Sequence, residues 1–221
     1  MTVHDVARHL PEIAVLREHC RSMAVLEAVL SPEWESRCHS FDDHWSEAES
    51  MASMRSGSGD EYSIVFSAAG AYVRGFDHES LMSPYAEGGP WPGVLDEVPE
   101  VFRPYVEESA FCDEDGMPVV TACMWRETVD DRWKAGTIDF PDGTTEDADG
   151  AGHLFRLLVD RSPEAFQRWA EDYYMVPVAL AAVRHVFSSR PLTEEVVRAL
   201  NSDIVLADLS KDVAEIGYPT S

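Results

Sequence analysis

Between Pro11 and Leu30 the apolar residues Ile13, Leu16, Cys20, Met23, Leu26 and Leu30 recur at intervals of three and four, the spacing that lays one stripe along an α-helix. Pro11 suits the first turn of that helix, and Ser31-Pro32 ends it. From Trp34 to Trp45 the rhythm changes: Arg37, His39, Phe41 and Trp45 are separated by shorter polar residues in a rough period of two, so part of this segment is read as a strand. Glu47 to Arg55 is short and rich in helix-favouring residues, and a brief helix stopped by Gly57 and Gly59 is expected there. After it, Tyr62, Ile64 and Phe66 alternate with Ser63, Val65 and Ser67, while Tyr72, Arg74 and Phe76 alternate with Ala71, Val73 and Gly75. That pattern predicts a β-hairpin closed by Ala68-Ala69-Gly70, with Gly70 supplying a positive φ. The aromatic faces of its two strands are expected to pair across the ladder.

Residues 83–105 carry Pro84, Pro90, Pro92, Pro99 and Pro104 with Gly88, Gly89 and Gly93, which predicts a long loop with one helical turn near Val98 to Val106. A second hairpin is expected from Pro118 to Arg126 and Trp133 to Phe140, about a polar turn at Thr128 to Asp131. An acidic loop, Pro141 to Gly152, then leads into helices. Ser162-Pro163-Glu164 reads as an N-cap and first turn, with Phe166, Trp169, Tyr173 and Val176 on one face. Pro177 opens a helix that turns Leu180, Val183 and Phe187 inward, Thr193-Glu194-Glu195 opens another, and Leu206, Leu209, Val213 and Ile216 stripe the last. Helix, mixed strands and helices in that order define an α+β fold, with an antiparallel sheet built from two β-hairpins, an N-terminal helix and a C-terminal helical segment. One domain spanning 1–221 is expected; any subdomain boundary would fall in the Pro/Gly-rich loop 83–105.

Charge changes this picture more than composition does. The chain has 41 acids against 17 bases, a net charge of -24, and the acids divide as 20 up to Ala110 and 21 beyond it. The charge is therefore spread over the surface, where it repels nucleic acid and anionic membrane and favours a basic protein partner. No basic stretch followed by an apolar one opens the chain, and no run approaches the roughly 18 apolar residues of a membrane span. A cytoplasmic location is expected. Cys20, Cys38, Cys112 and Cys123 form no C-x-x-C pair, so reduced and mostly buried thiols are expected.

Reactive side chains concentrate around the first hairpin. Asp77-His78-Glu79-Ser80 at its exit could bind a metal or move protons, although alternation along a strand would keep His78 from sharing a face with both acids. Arg55-Ser56-Gly57-Ser58-Gly59-Asp60-Glu61 lacks the strand, G-x-G-x-x-G, helix order of a dinucleotide loop. It reads better as a tight turn with Arg55 paired to Asp60 or Glu61. Thr145 to Gly150 fails as a calcium loop, because Thr145 falls at the first ligand and Arg156 where a bidentate glutamate belongs; a solvated acidic loop is expected. Cys38, His39 and His44 lack a second ligand pair for zinc. Neither H-E-x-x-H nor a G-x-S-x-G elbow occurs, and Trp169, Tyr173 and Tyr174 are read as core. No cofactor and no metal are assigned.

Trp45, Met51-Ala52-Ser53-Met54-Arg55, Gly57-Ser58-Gly59-Asp60-Glu61-Tyr62 and Gly75-Phe76-Asp77-His78-Glu79 together resemble a widespread group of uncharacterised bacterial proteins, over about 40 residues. The resemblance carries no catalytic residues. In general character, small, acidic and α+β, the chain also resembles immunity proteins that neutralise toxins, an analogy alone. The reading leans away from an enzyme: a cytoplasmic acidic binding protein is expected, an immunity-type inhibitor of a basic partner being its specific form. The binding candidates are Arg55, Asp60, Glu61, Asp77, His78, Glu79, Ser80 and Trp91. The alternative is a small hydrolytic or metal-assisted enzyme centred on His78 and Glu79.

Overall fold

In a computed structural model, which describes residues 1–141 and 147–221, the fold is α+β. In chain order the main elements are α1 (Val3–His9), α2 (Ile13–Leu30), β1 (His39–Ser46), β2 (Glu49–Arg55), β3 (Glu61–Ser67), β4 (Gly70–Phe76), α3 (Pro84–Glu87), α4 (Arg103–Val106) and β5 (Ala122–Glu127). Then follow α5 (Ala151–Leu154), α6 (Arg156–Val159), α7 (Pro163–Tyr174), α8 (Leu180–Phe187), α9 (Glu194–Leu200) and α10 (Ser210–Ile216). The strands form one antiparallel sheet in the order β1-β2-β3-β4-β5. The chain divides into two compact units, one of residues 1–13 and 54–159, the other of 14–53 and 160–221. Residues 83–105 lie inside the first unit.

In the first unit, the two-residue turn Ala68-Ala69 sets Ser67 opposite Gly70, and this register pairs even-numbered residues of β3 with odd-numbered residues of β4. Tyr62, Ile64 and Phe66 consequently share a face with Gly75, Val73 and Ala71, while Tyr72, Arg74 and Phe76 share the other with Val65, Ser63 and Glu61. The expected pairing of aromatic faces is corrected: the two aromatic sets lie on opposite sides of the hairpin. Each finds its own partners, Tyr62 at 5.5 Å from Phe155 and Tyr72 at 6.3 Å from Phe102 and 5.8 Å from Tyr105. Both faces are therefore covered, and every residue of β4 is buried. Gly75 makes room for this packing, since a Cβ there would come within 2.7 Å of Phe155. Gly70 does have the expected positive φ, 142°, and a side chain there would also strike the Arg126 carbonyl of β5 at 2.1 Å. The second hairpin is realised as β5 and a return reduced to the single bridge Trp125–Lys134.

Glu47 to Arg55 is not a helix. Residues 49–55 form β2, in which Ser50, Ala52 and Met54 are buried and alternate with more exposed neighbours. Met, Ala and Glu favour helix intrinsically, but sheet pairing and half-burial outweigh a preference of a few tenths of a kcal/mol per residue. The sequence pattern also gave no sign of α1, whose start carries the reciprocal Thr2–Asp5 cap.

The second unit is organised on α2. Its Glu27 is wholly buried and accepts hydrogen bonds from the backbone N–H of Cys38 (2.7 Å) and His39 (3.0 Å), from the Tyr174 hydroxyl (2.5 Å), and from the His39 ring. Burial alone would lower the pKa of His39, but the Glu27 carboxylate holds it well above the usual range, so the imidazolium persists. The His39 ring also packs edge-on against Trp169, 4.7 Å away. The expected cap Ser162 accepts from Ala165, and Thr193, where a helix was expected to open, caps it by accepting from Val196. Of the stripe expected on α7, Phe166 is buried, but Tyr173, read as core, is exposed, and Val176 falls outside the helix, which ends at Tyr174 with Met175 at φ 55°. All four cysteines are free, and Cys20, Cys38 and Cys123 are buried.

Glu27→Ala removes one side of a buried ion pair and orphans two backbone donors. It is expected to cost ~3–5 kcal/mol, measured by urea denaturation against wild type.

Candidate functional site

The first unit gathers reactive side chains where the loop after β2 meets the exit of β4. Gly57 and Gly59 adopt positive φ, 77° and 113°, which lets residues 56–60 curl until Ser56 N–H donates to the Asp60 carbonyl (2.9 Å). The curl delivers Asp60 inward, 7% exposed. Its Oδ1 accepts the His78 backbone N–H (3.1 Å) and lies 2.6 Å from His78 Nδ1, while Ser56 and Ser58 hydroxyls approach Oδ2 at 3.3 and 3.4 Å. His153 Nε2 stands 3.8 Å from the same Oδ2. The objection that alternation separates His78 from Asp77 fails because β4 stops at Phe76. Asp77 to Ser80 is a turn, closed by Ser80 N–H on the Asp77 carbonyl (3.2 Å).

Asp77 is fixed from two sides. Its Oδ1 accepts the Glu79 N–H at 2.8 Å, and a side chain at Gly150, whose φ is 72°, would lie 2.2 Å from its Oδ2. Glycine at 150 is what lets α5's approach reach the cluster. The donor atoms of Asp60, Asp77 and His78 lie within 4.8 Å of one another, a separation and donor set that a divalent cation can bridge with waters completing its shell.

Electrostatics tie the pair together. The hydrogen bond from His78 to Asp60 raises the pKa of His78, with the charge of Asp60 and then of Glu79 adding to it. For Asp60, burial works upward, but the side-chain and backbone hydrogen bonds from His78 prevail and the pKa is lowered. The contribution of Asp60 to stability is present above its unfolded pKa and fades as pH falls through the lowered value. That of His78 is present below its unfolded pKa and fades as pH rises through the raised one. Their pairing is complete between these limits.

The other candidates take separate places. Glu61 bonds Arg74 at 2.5 Å, and Asp60 takes His78, so neither acid has the expected partner Arg55, which stands exposed at the end of β2. Glu79 is 85% exposed with Oε1 4.0 Å from His78 Nε2. Ser80 donates to the Ala148 carbonyl (2.8 Å) and accepts from Met82 N–H (3.0 Å). Trp91 uses its indole N–H on the Asp139 carbonyl, 3.0 Å away. His153 was not among the expected site residues, and Asp149 and Gly150 were read only as part of the acidic loop. Thr145 and Glu146 of the acidic loop lie outside the described residues. Asp149 departs from the expected solvated loop, being wholly buried and accepting the N–H groups of Val3 (2.8 Å) and Ala151 (3.1 Å). Burial pushes its pKa up to about 6. No spacing rule links residue 153 to the hairpin; only the fold brings it there.

No protein-family model, curated protein or solved structure matches the chain. Among the described residues no helix is long and apolar enough to cross a membrane.

An NMR titration of His78 is expected to give a midpoint above the ordinary 6.5. Asp60→Asn should return the midpoint towards that value, whereas a variant such as Arg55→Gln should leave it unmoved.

Proposed function

We propose that this is an acidic binding protein that takes a basic protein partner on its first unit, at the turn 77–80 and the residues just after it. The carrying observation is that Leu81 and Tyr85 are 65% and 59% exposed directly beside that acidic turn. Tyr85 is braced edge-on against Phe76, ring centroids 5.9 Å apart. A rigid exposed aromatic and an aliphatic side chain flanked by carboxylates have the make-up of an interface anchor. The -24 charge supplies long-range steering towards a basic surface and away from nucleic acid. Meanwhile Asp60, Asp77 and Ser80 each take part in internal hydrogen bonds, which supports a rigid platform. A cytoplasmic immunity-type inhibitor of a basic toxin is the specific form of this reading.

The test uses the basic proteins encoded beside this gene, purified and mixed with the full chain. Association with one of them should slow by about tenfold or more between low and physiological salt. Leu81→Ser and Tyr85→Ala should each weaken binding by ~1–3 kcal/mol, mainly through faster dissociation. Binding by none of them, or an association rate indifferent to salt, overturns the proposal.

The convergence of Asp60, Asp77 and His78 favours one second reading, metal-assisted hydrolysis. On that reading Mn2+ broadens the His78 ring resonances, and Asp77→Asn weakens the effect by more than the about tenfold that loss of an outer-shell partner costs. Resonances that stay sharp at millimolar Mn2+ remove it.

A further inference from the structure

The second unit holds a cavity of about 710 Å³ between α2, the start of α7 and the end of α8. That volume is within the range of small-molecule sites. Its apolar wall is made by Val15, Pro163 and Phe187, and Val15, in the first turn of α2, is 53% exposed although it is aliphatic. Phe187 is held in place by His19, edge-on at 5.0 Å.

The charge balance of the lining runs against that of the chain. Overall there are 41 acids to 17 bases, yet the cavity presents Arg161, Arg184 and His19 against one acid, Glu18. Glu18 is ion-paired to Arg21 at 2.8 Å, so its charge is turned to a residue outside the lining. Arg184 is itself paired, giving its Nη2 to Glu164 outside the lining, but that contact uses only one of the nitrogens of its guanidinium, and the others are the donors offered to a ligand. Ser189 lines the cavity in the left-handed conformation, φ 53°, where a glycine would ordinarily be favoured.

We propose that this cavity binds a small organic carboxylate with an apolar body, its head group on Arg161 and Arg184 and its tail against Val15, Pro163 and Phe187. An arginine fork matches a planar carboxylate through paired charge-assisted hydrogen bonds, and the apolar wall gives the tail a place out of water. This site is independent of the surface proposed for the protein partner, so either can fail without the other.

The experiment is calorimetric titration of the full chain with octanoate and, separately, octan-1-ol. Octanoate should bind, with octan-1-ol weaker by about tenfold or more, the difference expected for charged hydrogen bonds to the head group. The double variant Arg161→Gln/Arg184→Gln should lose the preference for octanoate while keeping the wild-type melting temperature, since its arginines are partly exposed. Val15→Trp should block both ligands by filling the wall, which separates loss of space from loss of charge. Equal binding of the two ligands, no octanoate binding at millimolar concentration, or an unchanged preference in the arginine variant would each overturn the proposal.

Discussion

Burying a carboxylate is costly unless donors replace its water, and this chain meets that constraint the same way at three places. Glu27 receives the N–H groups that begin β1, Asp60 receives the N–H that follows β4, and Asp149 receives the first N–H of α1 together with that of Ala151. In each case the donors belong to a chain segment entering or leaving a strand or helix, whether the acid itself stands on a helix, as Glu27 does, or in a loop, as Asp60 and Asp149 do. The acids thus act as pins for connections, where backbone N–H groups would otherwise lack partners. Histidine backs two of the pins, His39 at Glu27 and His78 at Asp60, and each carboxylate in turn raises the pKa of its histidine. A strongly acidic sequence has used a small part of its charge to hold loops and left the remainder outside.

The candidate site is a consequence of one such pin. Asp60 would be an ordinary loop residue without Gly57 and Gly59, whose positive φ turns the chain back on itself, and without the abrupt end of β4 that points His78 at it. Asp77 comes to the same place because the turn that follows β4 reverses the alternation a longer strand would impose. The reactive groups are therefore close together for architectural reasons first. Next to them Leu81 and Tyr85 stay largely exposed although Tyr85 leans on Phe76, and this is why the proposed contact surface is that edge.

Much of this was legible in the sequence, and the failures have definite causes. The stripe of α2, the hairpin of β3 and β4, the cap Ser162 and the helix start at Thr193 were visible because periodicity and local side-chain to backbone bonds are properties of neighbours in sequence. The strand β2 was hidden because Met51 and Ala52 are adjacent, blurring the alternation that burial reveals at Ser50, Ala52 and Met54. The faces of the first hairpin were misassigned because strand pattern alone leaves the register undetermined by one residue, and a two-residue turn settles it the other way. Asp60 and His78 were visible as chemistry but not as a pair. Asp149 was read as a solvated loop acid and His153 was not placed at any site, since nothing local marks a residue that meets its partner only through the fold.

The distribution of thiols has a practical consequence for how the molecule opens. Burial pushes the Cys123 thiol up to about 12 and that of Cys20 higher still, so both are nearly silent towards alkylating reagents while folded, because only thiolate reacts. Cys123 lies in the first unit and Cys20 in the second, whereas Cys112 is only partly buried. Their labelling rates would follow local opening of each unit separately, with Cys112 as an internal clock for the reagent. The wild-type chain thus carries its own reporters of whether its two halves melt together or one at a time.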